Sequence, residues 1–326
     1  MWCVTRTFLP PMTRGICMYL FDLHCDTITR LNDGVRLEPN DRSLLLNAAQ
    51  LALGRMRGEN WCQCFAIFMP DEYRGRDAVD YYERSYRYFL EQMSCHGAYV
   101  EQVQNAPEAE AVIAQGKAAA ILTVEGGSAL AGDLGRVERL RKCGVRMMTL
   151  TWNGENELGS GNLTSHGLTD FGRAVIPALE EAGIVADVSH LNDAGFWEVA
   201  RLAKRPLCAS HSNSRSVCEH LRNLTDDQFR FLAEQQGLVG INYYVGFLAE
   251  EAANVTFDHL AAHVSHFLDL GGETVLALGS DFDGADTPPW LSSVEHTCGL
   301  YTRMCAEFGR EITDKIFWGN AFRFFS

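Results

Sequence analysis

Five apolar runs in this sequence finish on a residue able to bind a metal or move a proton. They are "YLFDLH" on His24, "AAAILTVE" on Glu125, "IVADVSH" on His190, "PLCASH" on His211 and "TVLALGSD" on Asp281, with Asp26 two positions after His24. Taken singly, each has an ordinary alternative: a strand-end histidine is commonly a satisfied core or surface residue, and a strand-end aspartate commonly caps a helix. Together they are hard to obtain from packing, because gathering unpaired ionisable groups in one place costs several kcal/mol each. Bound divalent cations remove that cost, and two suit the inventory better than one. Imidazole and carboxylate donors without sulfur favour Zn²⁺, with Mn²⁺, Fe²⁺ and Co²⁺ as possible substitutes. The expected arrangement has His24 and Asp26 on one ion, His190 and His211 on the other, and Glu125 bridging them at a separation of about 3.5–4 Å. Water shared by the two ions would then be acidified into the attacking hydroxide, and Asp281 is the base left free of metal. Asp283, in "GSDFDG", is a second choice for that base, against a simpler place as the turn residue before Gly284.

Residues so far apart in sequence can meet only if the elements that carry them end on a common rim. Eight short apolar runs, at 19–24, 61–69, 118–125, 145–151, 184–190, 206–211, 238–244 and 274–281, are near-continuous in character, as strands covered on both faces should be. Amphipathic stretches separate them. Residues 77–93 repeat Val79, Tyr82, Tyr86, Phe89 and Met93 at helical steps, and 167–183 opens on a Thr169 cap and stops at Gly183. Further helices fit 193–203, 225–236 and 256–270. This alternation predicts an α/β fold with a closed (β/α)8 barrel, a doubly wound open sheet being the alternative. In a barrel all strand C-termini share one rim, which is where the ligand-type residues fall.

The 326 residues suit one such barrel, expected over 18–326, with 1–17 as a loose N-terminal arm or an over-long start. A formal net charge of −14 without a concentrated Lys/Arg stretch argues against nucleic acid as a partner. Eleven scattered cysteines lack the spacing of a disulfide framework, so reduced thiols and a cytoplasmic location are expected; Cys62 and Cys64 read as buried thiols. No apolar run approaches the roughly 20 residues needed to span a bilayer.

The fragments "DLHCDT", "TVEGG", "GLTDFG", "DVSH", "CASHSNSRSVCEHLRN" and "GSDFDG", in that order and continuing to "WGNAFRFF", resemble the membrane dipeptidase (renal dipeptidase, M19) family of amidohydrolase-like metal hydrolases. That resemblance implies a (β/α)8 barrel with two zinc ions held by His24, Asp26, Glu125, His190 and His211. It implies that Asp281 handles the proton during attack on a peptide carbonyl, and that Arg222 pairs with the C-terminal carboxylate of a small dipeptide substrate. A homodimer is likewise what the family implies. One departure stands out: where many members carry the histidine of an "LTH" triplet, this chain has "LTW", placing Trp152 there. Indole donates but cannot relay a proton. Trp152 is therefore expected to donate a hydrogen bond or shape the substrate pocket, with Asn153 or Asn156 as further candidates to stabilise an oxyanion. Two other functions fit the same residues: a metal-dependent lactam, lactone or other cyclic amide hydrolase, and a metal- or ligand-binding barrel without turnover.

Overall fold

The computed structural model describes residues 18–34, 41–56 and 58–326; the expectation about residues 1–17 lies outside them. Among the described residues nine strands form one sheet: β1 (Tyr19–Asp22), β2 (Asn60–Phe68), β3 (Val100–Gln102), β4 (Ala118–Glu125), β5 (Val145–Thr149), β6 (Val185–Asp187), β7 (Cys208–Ala209), β8 (Leu238–Ile241) and β9 (Leu276–Leu278). Every pairing is parallel, and the order β2-β1-β9-β8-β7-β6-β5-β4 closes on itself through β2 and β4, where Cys62 faces Ala119 and Phe68 faces Glu125. The result is a closed eight-stranded (β/α)8 barrel, which excludes the open sheet. The ninth strand, β3, lies outside the ring and pairs only with β4.

Alternate positions of β4 explain why its run is apolar throughout. Ala119 and Ile121 join one buried cluster with Cys62, Cys64 and Cys208, whereas Ala120, Leu122 and Val124 join a second with the surrounding helices. Burial on both faces selects against polar alternation. Cys62 and Cys64 are free thiols inside the first cluster, as their spacing indicated.

Helices follow their sequence signals closely. Thr169 accepts the amide of Gly172 to cap Asp170–Ala182, and Gly183 ends that helix in the left-handed conformation. Thr225 and Gln228 form a reciprocal capping box before Asp226–Glu234. The longest helix, Gly75–Cys95, buries Ala78, Tyr81, Tyr82 and Phe89 on one face. No helix among the described residues is long and apolar enough to cross a membrane.

Candidate metal centre

Glu125 is the last residue of β4, while His24, His190, His211 and Asp281 lie just past the ends of β1, β6, β7 and β9. The ladder therefore stops before the chemistry starts, and the short turns aim each side chain inward. His190 (φ 71°) and Asp281 (φ 59°) take the left-handed conformation, which costs a side-chain-bearing residue on the order of 1 kcal/mol or more and is found where surrounding structure enforces it. Glu125, His24, His190, His211 and Asp26 are buried, and Asp281 is half-buried.

The Glu125 carboxylate divides its two oxygens between two sets of donors. Oε2 lies 3.2 Å from Nε2 of His24, and Oε1 lies 2.8 Å from Nε2 of His190 and 3.8 Å from Nε2 of His211. Asp26 Oδ2 stands 3.5 Å from His24 Nε2. Asp26 occupies the N-cap position of the helix Thr27–Asp33 yet makes no side-chain cap, so the ordinary explanation for a strand-end aspartate does not apply. Two groups of ligand atoms come within 4.8 Å of one another, His24 with Glu125 and His211, and His24 with Asp26 and Asp281.

Hydrogen-bond accounting shows what these groups lack. His190 Nδ1 meets Asn153 Oδ1 at 3.0 Å, an acceptor, so the ring hydrogen sits on Nδ1 and Nε2 is bare. Both nitrogens of His24 and Oδ1 of Asp26 are buried with no hydrogen-bond partner. Buried polar atoms are rarely left in this state, and a divalent cation would satisfy one nitrogen of His24 and the Asp26 oxygen.

Electrostatics agree. Burial drives His190 and His211 well below the usual imidazole range, aided by the Arg222 and His24 charges, so both are neutral as metal ligands must be. Burial also disfavours charge on His24, but Glu125 and Asp26 outweigh it and hold this ring well above its usual value. Burial, with Asp26 nearby, lifts Glu125 to about 8, and burial lifts Asp281 to about 6 despite the opposing His24 charge, the Asn242 hydrogen bond and Arg222.

Gly284 makes this crowding possible. A Cβ there would stand 2.0 Å from Asp26 Oδ2 and 2.5 Å from Asp281 Oδ1. Asp283 does not face the centre: its carboxylate accepts Thr27 Oγ1 at 2.6 Å and the Gln50 amide at 2.7 Å, tying the loop after β9 to the start of the helix Thr27–Asp33 and to the segment that precedes β2.

Arg222 is 4% exposed, and its guanidinium lies 5.3 Å above the Phe247 ring. Its side chain reaches the His211 carbonyl only at 3.4 Å through Nη2, while Nε is buried without a partner. Burial lowers it to about 10 against the pull of Asp281, Glu125 and Asp187. A buried guanidinium so sparsely engaged fits the bidentate recognition of a carboxylate. Trp152 is half-buried, edge-on to Phe68 at 4.9 Å and 6.5 Å from the His190 ring, forming a wall beside the centre.

Asn153 meets His190 through its Oδ1, an acceptor, whereas Asn156 holds its own loop by donating from Nδ2 to Leu150 C=O and accepting the Leu158 amide. Asn242 was not foreseen: its Nδ2 donates to Asp281 Oδ2 at 3.0 Å. An isolated asparagine inside the apolar "LVGINYY" was the available signal.

A (β/α)8 barrel whose C-terminal rim gathers imidazoles, carboxylates and one anion-seeking arginine defines a metal-dependent hydrolase. Residues 16–326 match the model of the membrane dipeptidase family (peptidase family M19), and the chain belongs to that family. It is similar to a metallopeptidase from Rhodobacter sphaeroides, solved with a phosphinate mimic of the dipeptide L-Ala-D-Ala, at 27% identity and TM-score 0.89, covering 95% of this chain and 99% of that one. A second solved structure, the dipeptidase AC, a metallopeptidase of family M19, matches at 28% identity and TM-score 0.88 over 95% of this chain and 98% of that one. An uncharacterized dipeptidase of Schizosaccharomyces pombe is 30% identical over 200 residues, 60% of this chain and 49% of that protein. The chain is a metal-dependent dipeptidase.

Proposed function

We propose that this dipeptidase carries a binuclear zinc centre and cleaves the peptide bond of small, free dipeptides. The observation that carries the proposal is the divided Glu125 carboxylate, one oxygen toward His24 and the other toward His190 and His211. His24 and Asp26 would hold one ion and His190 and His211 the other, with Glu125 shared. Divalent ions so held supply Lewis acidity toward a carbonyl and make water nucleophilic at neutral pH.

The chain's own residues account for the remaining steps. Arg222 receives the substrate's terminal carboxylate, fixing the distance from that end to the scissile bond and so selecting short peptides. Asp281, with Oδ2 occupied by Asn242, keeps Oδ1 to accept a proton from the attacking water and pass it to the leaving amine. The Trp152 and Phe68 wall bounds the substrate on the His190 side and excludes solvent. The same centre could open a lactam or lactone, but Arg222 favours an acyclic substrate ending in a carboxylate.

The test is a substrate panel on the zinc-loaded enzyme, comparing dipeptides, their C-terminal amides, tripeptides, lactams and lactones. Preference for free dipeptides supports the proposal. Turnover of lactams or lactones without dipeptide cleavage overturns it.

A further inference from the structure

Asp187, at the end of β6, is fully buried and has no metal-facing role. Its Oδ1 accepts the amides of Ser189 and Ser210, both at 3.0 Å. Its Oδ2 accepts the hydroxyls of Thr149 at 2.6 Å and Ser210 at 2.5 Å. These four donors fill the carboxylate as an acceptor. Ser210 has thereby spent its only hydroxyl hydrogen on Asp187, yet its Oγ also lies 2.7 Å from Nδ1 of His211. The remaining contact can form only if His211 Nδ1–H donates to Ser210 Oγ, which leaves His211 Nε2 bare and facing the centre.

The same clamp recurs across the barrel. Asp22, in β1, accepts the Ser280 amide at 2.8 Å and the Ser280 hydroxyl at 2.5 Å, and Ser280 immediately precedes Asp281. In both cases an aspartate on one strand grips the amide and hydroxyl of the serine that precedes a rim residue on its neighbour. The packing around Ser210 is equally tight, since a Cβ on Gly240 would stand 1.9 Å from the Ser210 carbonyl oxygen.

We infer that Asp187 is a positioning residue acting through Ser210, a carboxylate–hydroxyl–imidazole relay that sets the tautomer and direction of His211 as a metal ligand. The inference rests on the metal-centre reading above. It requires the polarity of the relay, and Asp187→Asn reverses it without changing shape: the new amide donates to Ser210 Oγ and Thr149 Oγ1, the serine hydrogen turns toward His211 Nδ1, and the ring hydrogen moves to Nε2.

Two measurements separate this inference from the metal-centre reading. On metal-free protein, imidazole ¹H–¹⁵N correlation should show His211 protonated at Nδ1 in the parent and at Nε2 in Asp187→Asn, the signal being identified by its absence from His211→Asn. A parent His211 carrying its hydrogen on Nε2 overturns the relay. Zinc titrated against a chelating indicator should then show one of two sites weakened by about 10- to 100-fold in both Asp187→Asn and Ser210→Ala. The other site should keep its affinity, with the metal-free melting temperature little changed. Unchanged zinc affinity in both variants, or equal weakening of both sites, overturns the positioning role. A parent that binds no zinc defeats the metal-centre reading instead, and the tautomer measurement alone then decides the relay.

Discussion

Nε2 of His190 and Nε2 of His211 lie 2.9 Å apart, and neither ring has a hydrogen left to place between them. His190 gives its hydrogen to Asn153 and His211 gives its own to Ser210. Two bare nitrogens in contact are repulsive unless a cation sits between or beside them. Metal removal should therefore lower stability: with free zinc at about 100 times Kd, each ion adds roughly 2.7 kcal/mol. Calorimetry with and without chelator should show the melting temperature fall by several degrees and recover on adding zinc. A melting temperature indifferent to both treatments would count against the site.

Arg222 should matter only where the substrate offers a carboxylate. Removing one partner of a buried charge pair costs about 2–5 kcal/mol, so Arg222→Ala should lower kcat/KM for free dipeptides by about 30-fold or more. Arg222→Lys keeps the charge but loses the fork, and should fall between. Dipeptide amides should be turned over poorly by the parent and lose little more in the variant; equal losses on both substrates would remove the assigned role.

Gly284→Ala tests the crowding of the carboxylates. The added methyl would stand 2.0 Å from Asp26 Oδ2, so Asp26, Asp281 or the turn must shift. Displacements of this size at a reacting centre cost about 100-fold. A fall of that order in kcat with a nearly unchanged melting temperature is expected, and full activity would show that the turn yields freely.

His263 links acid sensitivity to the loop after β7. Its Nδ1 accepts the Ser214 amide and its Nε2–H donates to the Leu248 carbonyl, both at 3.1 Å, so protonation would set a hydrogen on Nδ1 against the Ser214 N–H. Burial lowers this histidine from 6.5 to about 4. The folded protein thus binds fewer protons than the unfolded chain between those values, and the stabilisation is full above pH 6.5 and lost as pH falls toward 4. This amounts to roughly 3 kcal/mol. Denaturant titrations across that range should show the loss, and His263→Gln should flatten it.

Much of the barrel and of the centre was legible because both depend on strong local signals. Two-sided burial makes the strand runs continuously apolar, so a polar side chain at their ends is conspicuous. Capping residues such as Thr169 and Thr225 mark helix starts by side chains that satisfy backbone amides. The short β3 carries no such signal: only Val100 of its three residues is buried. Asp22 and Asp187 were also silent, since each is one polar residue within an apolar run and gains meaning only when a neighbouring strand brings Ser280 or Ser210 against it. Asn153 was visible as a polar group near the centre, but which partner its amide takes is decided by the turn that carries His190.

The most direct test of the central claim is metal analysis of the purified protein coupled to dipeptide hydrolysis before and after chelation. Near two equivalents of divalent metal are predicted, with cleavage lost on chelation and restored by zinc. Protein that holds no metal, or cleavage indifferent to chelation, would contradict a binuclear zinc centre.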